Sequence, residues 1–162
     1  LQPGDQLDCV ELNEQFVERL NHCLRHDPRF APYRHQVQVI HSPVEALAGD
    51  GLYDFIVSGL PLNNFPVGLV REIFRAYSRL LKPGGVLSYF EYVLIRHLKK
   101  PFSGRTERRR LFRVGRLVGR YIRAFQIRRQ PVFINVPPAV VRHLNLKPLA
   151  DKTSHPFARK PR

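Results

Sequence analysis

Methionine is absent from the 162 residues, so the chain opens on Leu1 without an initiator, as a processed, truncated or partial chain would. Cysteine is scarce. Cys9 and Cys23 are the two present, which argues against a disulfide scaffold and fits a reducing cytoplasm. No run of about 18 uncharged apolar residues occurs, which excludes a membrane-spanning helix of the usual length. No charged, then apolar, then small-residue leader reads as a signal peptide. Acidic residues are nearly missing from one stretch: residues 96–129 hold 13 Lys and Arg against Glu107 alone, whereas residues 1–95 hold 8 against 11. Residues 130–162 hold 6 against 1. The overall charge of +14 therefore belongs to a nearly neutral body with one very basic insertion and a basic tail. What remains is ordinary: 43% hydrophobic and 25% charged residues, at the length of one globular domain. A patch this basic points to an anionic partner, either nucleic acid phosphate or an anionic membrane surface, against the plainer reading of a solvated face.

The pattern along the chain alternates strands with helices. Asp8–Leu12 reads as a strand ending in a carboxylate at Glu11. Asn13 reads as an N-cap for a helix to about His26, with Phe16, Val17, Leu20, Cys23 and Leu24 on one face and Cys23 as a buried thiol. Gln36–Ile40 alternates and reads as a strand. Tyr53–Ser58 is nearly all apolar, as expected of a parallel strand buried on both faces. Val67–Leu81 has helical spacing, and Lys82-Pro83-Gly84-Gly85 stops it with a turn before a strand over Val86–Leu94. A basic helix over about 105–125 and two strands, Gln126–Val136 and Ala139–Asn145, follow. The order predicts an α/β fold, with ligands at the carboxyl ends of the strands.

Several residues could carry chemistry. Glu11 ends a strand before a helix, where two carboxylate oxygens match a ribose diol; a surface Glu near a helix N-terminus is the bland alternative. The loop Ser58–Pro66 (SGLPLNNFP) follows a strand, and its carbonyls and the Asn63 and Asn64 amides could accept from an amine. Tyr89, Phe90 and Tyr92 close a strand. Rings there could hold an ammonium by cation–π attraction, although alternation separates Tyr89 from the other two and core packing suits Phe90 better. In the basic helix, Leu111, Val114, Leu117, Val118, Tyr121, Ile122 and Phe125 form a stripe. Arg109, Arg113, Arg116, Arg120 and Arg123 form the complementary face. The stripe either packs on the sheet with the arginines on phosphates, or enters a membrane interface. Glu18, His22 and His26 share a helix face, which reads as polar surface and not as a metal site. No nucleophile–base pair or paired carboxylates stand out.

Glu11, the SGLPLNNFP loop, the LLKPGG turn and NVPPA (Asn135–Ala139) together resemble a class I S-adenosylmethionine-dependent methyltransferase. Within that superfamily they are most similar to bacterial phospholipid N-methyltransferases, whose loop reads close to SGLPLLNFP and whose late motif reads close to NLPPA. The resemblance covers roughly residues 8–145. It implies a Rossmann-like sheet, mostly parallel with a C-terminal antiparallel strand pair and truncated at its N-terminus. It implies that S-adenosylmethionine is the cofactor, with Glu11 at its ribose, Leu12 and Ser58 also in contact with it, and His41, Ser42 and the Val44 N–H at its adenine edge. Ser58, Gly59, Leu60 and Pro61 would line the methyl-transfer site, with Tyr92, Asn64, Asn135 and Pro137 on the acceptor side. The sequence departs from the pattern at Asn63, which replaces a leucine, and at Pro43, where the family has an acid. The family's Gly-rich cofactor loop does not occur in these residues, as if about 30 residues of a first strand–loop–helix unit were missing.

The expected organisation is a partial methyltransferase domain over 1–146 and a disordered basic tail over 147–162. The expected protein is a monomer, cytoplasmic and peripheral on the inner membrane face, with an anionic phospholipid surface as its partner and no metal. Two other functions fit the charge. One is an adenine N6-dimethyltransferase acting on RNA, which such families mark with an aromatic where this chain has Leu62. The other is a non-catalytic fragment that binds anionic surfaces.

Overall fold

The computed structural model describes residues 1–92, 105–132 and 139–149, with 92 and 105 described by backbone alone. The chain divides into two compact units, Leu1–Ala48 and Gly49–Arg162.

In the first unit, strand β1 (Leu7–Glu11) leads into helix α1 (Glu14–His26), and a 3-10 turn (Ala31–Gln36) leads into strand β2 (Val37–His41). β1 and β2 pair in parallel, from Leu7 opposite Val37 to Glu11 opposite His41. Asn13 caps α1: its side-chain oxygen accepts from the Gln15 N–H at 3.0 Å and the Phe16 N–H at 3.3 Å. Such a cap stabilises a helix by about 1 kcal/mol. Gln36, buried, donates from Nε2 to the carbonyls of Gln2 at 2.6 Å and Asp5 at 3.0 Å, which ties the first residues to β2. No residue of α1 is buried, and Cys23, expected as a buried thiol, is half-buried. Two strands offer a narrow surface, too narrow to cover the whole stripe of a 13-residue helix.

The second unit holds strand β3 (Tyr53–Ser58), a 3-10 turn (Leu62–Asn64), helix α2 (Val67–Leu80), strand β4 (Leu81–Tyr92), helix α3 (Arg105–Phe125), strand β5 (Gln126–Val132) and strand β6 (Ala139–Leu144). Its sheet has the order β3-β4-β6-β5. β3 and β4 are parallel, whereas β6 runs antiparallel to both β4 and β5. The apolar spacing of α2 buries Val70, Ile73, Phe74, Ala76, Tyr77 and Leu80. The Phe74 ring stacks on Tyr121 of α3, with centroids 4.2 Å apart and planes within 10°. It also meets Tyr89 of β4 edge-on. Leu87, Tyr89, Val114, Val118 and Leu144 complete this core. Among the described residues, no helix is long and apolar enough to cross a membrane.

Two expectations about this unit are corrected. Lys82–Gly85 is not a free turn between helix and strand. α2 passes directly into β4 at Leu81, and the pairing with β3 jumps from Tyr53–Leu81 to Phe55–Val86, so these residues form a bulge. Gly84 takes φ +81°, and a Cβ at Gly85 would lie 3.0 Å from the Lys82 carbonyl oxygen and 3.1 Å from that of Asp54. Glycine is the residue that permits this crowding. Nor is β3 buried on both faces: Phe55 is 73% exposed and Val57 80%. By register, Ile56 and Ser58 share the side of Leu87 and Tyr89, while Phe55 and Val57 fall on the other side with Val86 and Ser88. α2 packs on the Tyr89 side and α3 joins it there through Tyr121. Among the described strands β3 is also the end of its sheet.

Phe74→Ala should remove the ring common to α2, α3 and β4. Truncating such a buried aromatic costs about 3–5 kcal/mol. A urea titration followed by circular dichroism is expected to show that loss, and a change under about 1 kcal/mol would contradict this account of the core.

Candidate functional site

The carboxyl ends of β1 and β2 bring the cofactor candidates of the first unit together. Glu11 lies opposite His41, and the Ser42 N–H donates to the Glu11 carbonyl at 3.1 Å. His41 Nε2 meets the Leu12 carbonyl at 2.9 Å, while the Leu12 side chain is exposed. Val44 opens a short 3-10 turn just beyond Ser42. The Asn13 N–H donates to Glu11 Oε1 at 2.7 Å, which fixes the carboxylate against the start of α1. Thus Glu11, Leu12, Ser42 and Val44 gather at one strand edge, and His41 joins them. Nearby Cys9 is no candidate nucleophile. Partial burial, and then the charge of Asp8, push its thiol above the usual range, which disfavours the thiolate.

In the second unit the SGLP loop leaves the carboxyl end of β3. Ser58 is buried, and its hydroxyl shares a 2.7 Å hydrogen bond with the Tyr77 hydroxyl of α2. The Leu60 N–H approaches Ser58 Oγ at 3.4 Å. Gly59 packs under Phe90 so closely that a Cβ there would sit 3.0 Å from the ring carbon Cζ. Beyond it, the turn Leu62–Asn64 closes on itself: the Asn64 N–H donates to the Pro61 carbonyl at 2.8 Å and the Phe65 N–H to Leu62 at 3.3 Å. Gly59 and Pro61 are exposed, Leu60 is half-buried, and Leu62 is only 8% exposed. The loop thus has a fixed root at Ser58 and an open surface at Gly59 and Pro61.

Helix α3 turns its apolar stripe inward. Val114 and Val118 are buried, and Leu111, Leu117, Tyr121, Ile122 and Phe125 are half-buried. Of the two expected arrangements, this is the one in which the stripe packs within the unit. Arg109, Arg113, Arg116, Arg120 and Arg123 are all exposed. Phe112 stands among them, 65% exposed, with the Arg116 guanidinium 5.8 Å from its ring centroid. Ile127, Arg128 and Arg129 of β5 are exposed as well; by register Arg129 shares the side of Arg142 and Tyr89, and Arg128 falls on the other with His143 and Ser88. Arg110 behaves differently: it is half-buried, donates to the Asn64 carbonyl at 2.7 Å and pairs with Glu107 at 2.5 Å.

Tyr92 is placed by its backbone, opposite Ala139 at the start of β6. Asn135 and Pro137 lie outside the described residues, as does most of the expected tail. Tyr89, not Phe90, is the core ring of its strand, because alternation turns Tyr89 toward Phe74 and leaves Phe90 beside the loop. The sequence reading missed Tyr77, Phe112, Arg110 and the arginines of β5 as site residues, and it weighed Phe90 but assigned it to the core. Tyr77 was hidden by its apolar spacing. Arg110 carried a usable signal, the i,i+3 spacing to the one acid of the basic stretch. His22 and His26 bring their rings within 4.5 Å, but no group of three metal-ligating side chains occurs among the described residues.

No protein-family model matches the chain, and no curated protein matches it. Solved structures do. The PH0226 protein from Pyrococcus horikoshii OT3 matches with a TM-score of 0.63 at 16% identity, over 88% of this chain and 72% of its own. The N-methyltransferase NodS from Bradyrhizobium japonicum WM9 matches with a TM-score of 0.59 at 14% identity, over 89% of this chain and 74% of its own. Its complex with S-adenosyl-L-homocysteine matches at 0.58 and 13%, over 86% and 65%. At such identities the likeness is one of fold. The chain has the Rossmann-like methyltransferase fold, with a mixed sheet, over about two thirds to three quarters of these neighbours' length.

Proposed function

We propose that the chain belongs to an S-adenosylmethionine-dependent N-methyltransferase that modifies the amine of a phospholipid head group at an anionic membrane surface. The observation that carries this reading is the junction, within one unit, of the SGLP loop and an arginine-faced helix, made where Arg110 meets Asn64. The N-methyltransferase NodS, seen with S-adenosyl-L-homocysteine on the same fold, supports the cofactor and the amine chemistry.

The residues present fit part of the cofactor. Glu11 offers carboxylate oxygens at a strand edge, held by the Asn13 N–H, and suits a vicinal diol. Leu12, Ser42 and Val44 surround that edge and suit the adenosine portion. The 162 residues contain no Gly-rich loop to meet the rest. When bound, S-adenosylmethionine supplies a methyl group already activated on sulfur, so the chain needs no nucleophile of its own. Its task is to place a neutral amine, and positioning alone can account for much of a rate enhancement. Ser58, locked to Tyr77, roots the loop. Carbonyls of Gly59, Leu60 and Pro61 can accept the amine's N–H groups and aim its lone pair. Asn64, Tyr92, Asn135 and Pro137 belong to the acceptor side on this reading.

Burial of Leu62 favours an amine head group over a nucleobase, because the position after Pro61 cannot offer a surface on which a base would stack. The outward arginines suit lipid phosphates, and Phe112 and Ile127 suit the interfacial layer above the acyl chains. The chain would then act as a monomer, peripheral on the cytoplasmic face of a bacterial membrane.

Two measurements test this. Titration calorimetry of these 162 residues with S-adenosylmethionine is expected to show no binding in the micromolar range, because the fit is partial; micromolar binding would overturn that account. Sedimentation with vesicles should show binding to mixed phosphatidylglycerol and phosphatidylcholine and none to phosphatidylcholine alone. Replacing Arg113 and Arg116 by alanine should weaken it about 30-fold, from about 1 kcal/mol per arginine. Binding to RNA without binding to anionic vesicles, at matched salt, would sink the lipid reading in favour of an RNA methyltransferase.

A further inference from the structure

Among the described side chains of α3, Arg110 is the arginine that does not join the basic face. Arg109 beside it and Arg113 one turn on are exposed, whereas Arg110 is half-buried. One Nη donates to the Asn64 carbonyl at 2.7 Å, across 46 residues of sequence. The other pairs with Glu107 at 2.5 Å, one turn earlier on the same helix. Its Nε is buried and finds no hydrogen-bond partner among the described residues. Glu107 is in turn the single acid among residues 96–129. The one negative charge of the basic stretch is therefore spent on an arginine that faces inward, while Arg108, Arg109, Arg113, Arg116, Arg120 and Arg123 are exposed.

This geometry has a mechanical meaning. A guanidinium held at two points has a defined direction, which a single-point ammonium lacks. Glu107 fixes the fork to α3, and the fork fixes the carbonyl of Asn64, the last residue of the turn Leu62–Asn64. Backbone bonds within the turn and the buried Leu62 side chain also hold it. Moving Arg110 outward to reach a phosphate would break both of its contacts. Its charge is accordingly withheld from the docking face.

We propose that Arg110 is a positioning residue that couples the docking helix to the acceptor loop, so that a surface held by the outer arginines also sets the orientation of Leu62–Asn64. The coupling rests on the reading of α3 as a docking face and of SGLPLNNFP as the acceptor loop. Glu107 serves the clamp as its anchor.

Hydrogen exchange of the backbone amides of residues 60–65, in the whole chain with and without vesicles of mixed phosphatidylglycerol and phosphatidylcholine, reads the clamp directly. Without vesicles, Arg110→Ala should exchange these amides about tenfold faster, the factor expected when a hydrogen bond from a charged group is lost. Arg113→Ala should leave them unchanged. With vesicles, the wild-type chain should gain protection in the loop. The pair Glu107→Gln/Arg110→Ala, which removes both charges of the clamp and leaves the net charge as it was, should bind vesicles within about twofold of wild type but gain no such protection. Arg110→Lys keeps the charge and guards against a folding defect; it should bind vesicles as wild type does and still exchange the loop faster. Unchanged loop exchange in both Arg110 variants would overturn the clamp. A loss of vesicle binding in the Glu107→Gln/Arg110→Ala pair as large as in Arg113→Ala would also overturn it, because Arg110 would then be an ordinary docking residue. If the wild-type chain fails to bind vesicles, the docking reading and the coupling fall together, while exchange without vesicles still reports whether Arg110 holds the turn.

Discussion

Phe74 and Tyr121 stack face to face, with 10° between their planes, and this contact decides how α3 lies against α2. Because the ring of Tyr121 is spoken for, the stripe that includes Val114 and Val118 has one direction in which to face. A helix with apolar residues on one side and arginines on the other then has no freedom about its axis. Turning the stripe in turns Arg109, Arg113, Arg116, Arg120 and Arg123 out. It also sets Arg110, at the boundary between the two faces, against the turn at Asn64. The basic surface and the clamp are both consequences of one apolar seam.

The same seam supports the loop from its other end. Tyr77 lies one helical turn beyond Phe74 on α2, and it reaches Ser58 where β3 ends. Buried hydroxyls need partners, and these two satisfy each other. Ser58 therefore cannot swing out, and the chain after it starts from a fixed point. Gly59 must then pass beneath Phe90, where a side chain would collide with the ring. From Ser58 to Asn64 the loop is constrained at each end by a different helix, while its middle stays open.

Much of this was legible in the residues. The cap at Asn13, the span of α1, the strand Tyr53–Ser58 and the reach of α3 follow from local signals: a capping side chain, a period of 3.6, an apolar run. The apolar stripe of α3 followed from the same periodicity, although its inward direction did not. What the sequence could not supply was pairing. Lys82-Pro83-Gly84-Gly85 has the composition of a turn, and only the register of β4 against β3 reveals it as a bulge. An apolar run does not say how many of its faces are covered, so Phe55 and Val57 were read as buried. Tyr77 and Arg110 act on partners 19 and 46 residues away, and no local pattern encodes such distances. The division into Leu1–Ala48 and Gly49–Arg162 is likewise a property of contacts, not of composition.

The proposed chemistry places opposite electrostatic demands on neighbouring residues. A docking face must be cationic to hold anionic lipid. An amine that accepts a methyl group becomes positively charged as it reacts, so a bare cation beside it opposes the reaction. Arg110 is a cation that touches the acceptor loop, and its charge is met by a carboxylate. The exposed arginines extend along the helix, away from the turn that Arg110 holds. Glu107 thus resolves the conflict locally. It lets an arginine supply the two-point geometry needed to hold a backbone carbonyl without leaving an uncompensated charge there. Removing the acid would both loosen the fork's hold on α3 and put its charge in view of the loop, so on this reading the geometry of the clamp and the neutrality of its site depend on the same carboxylate.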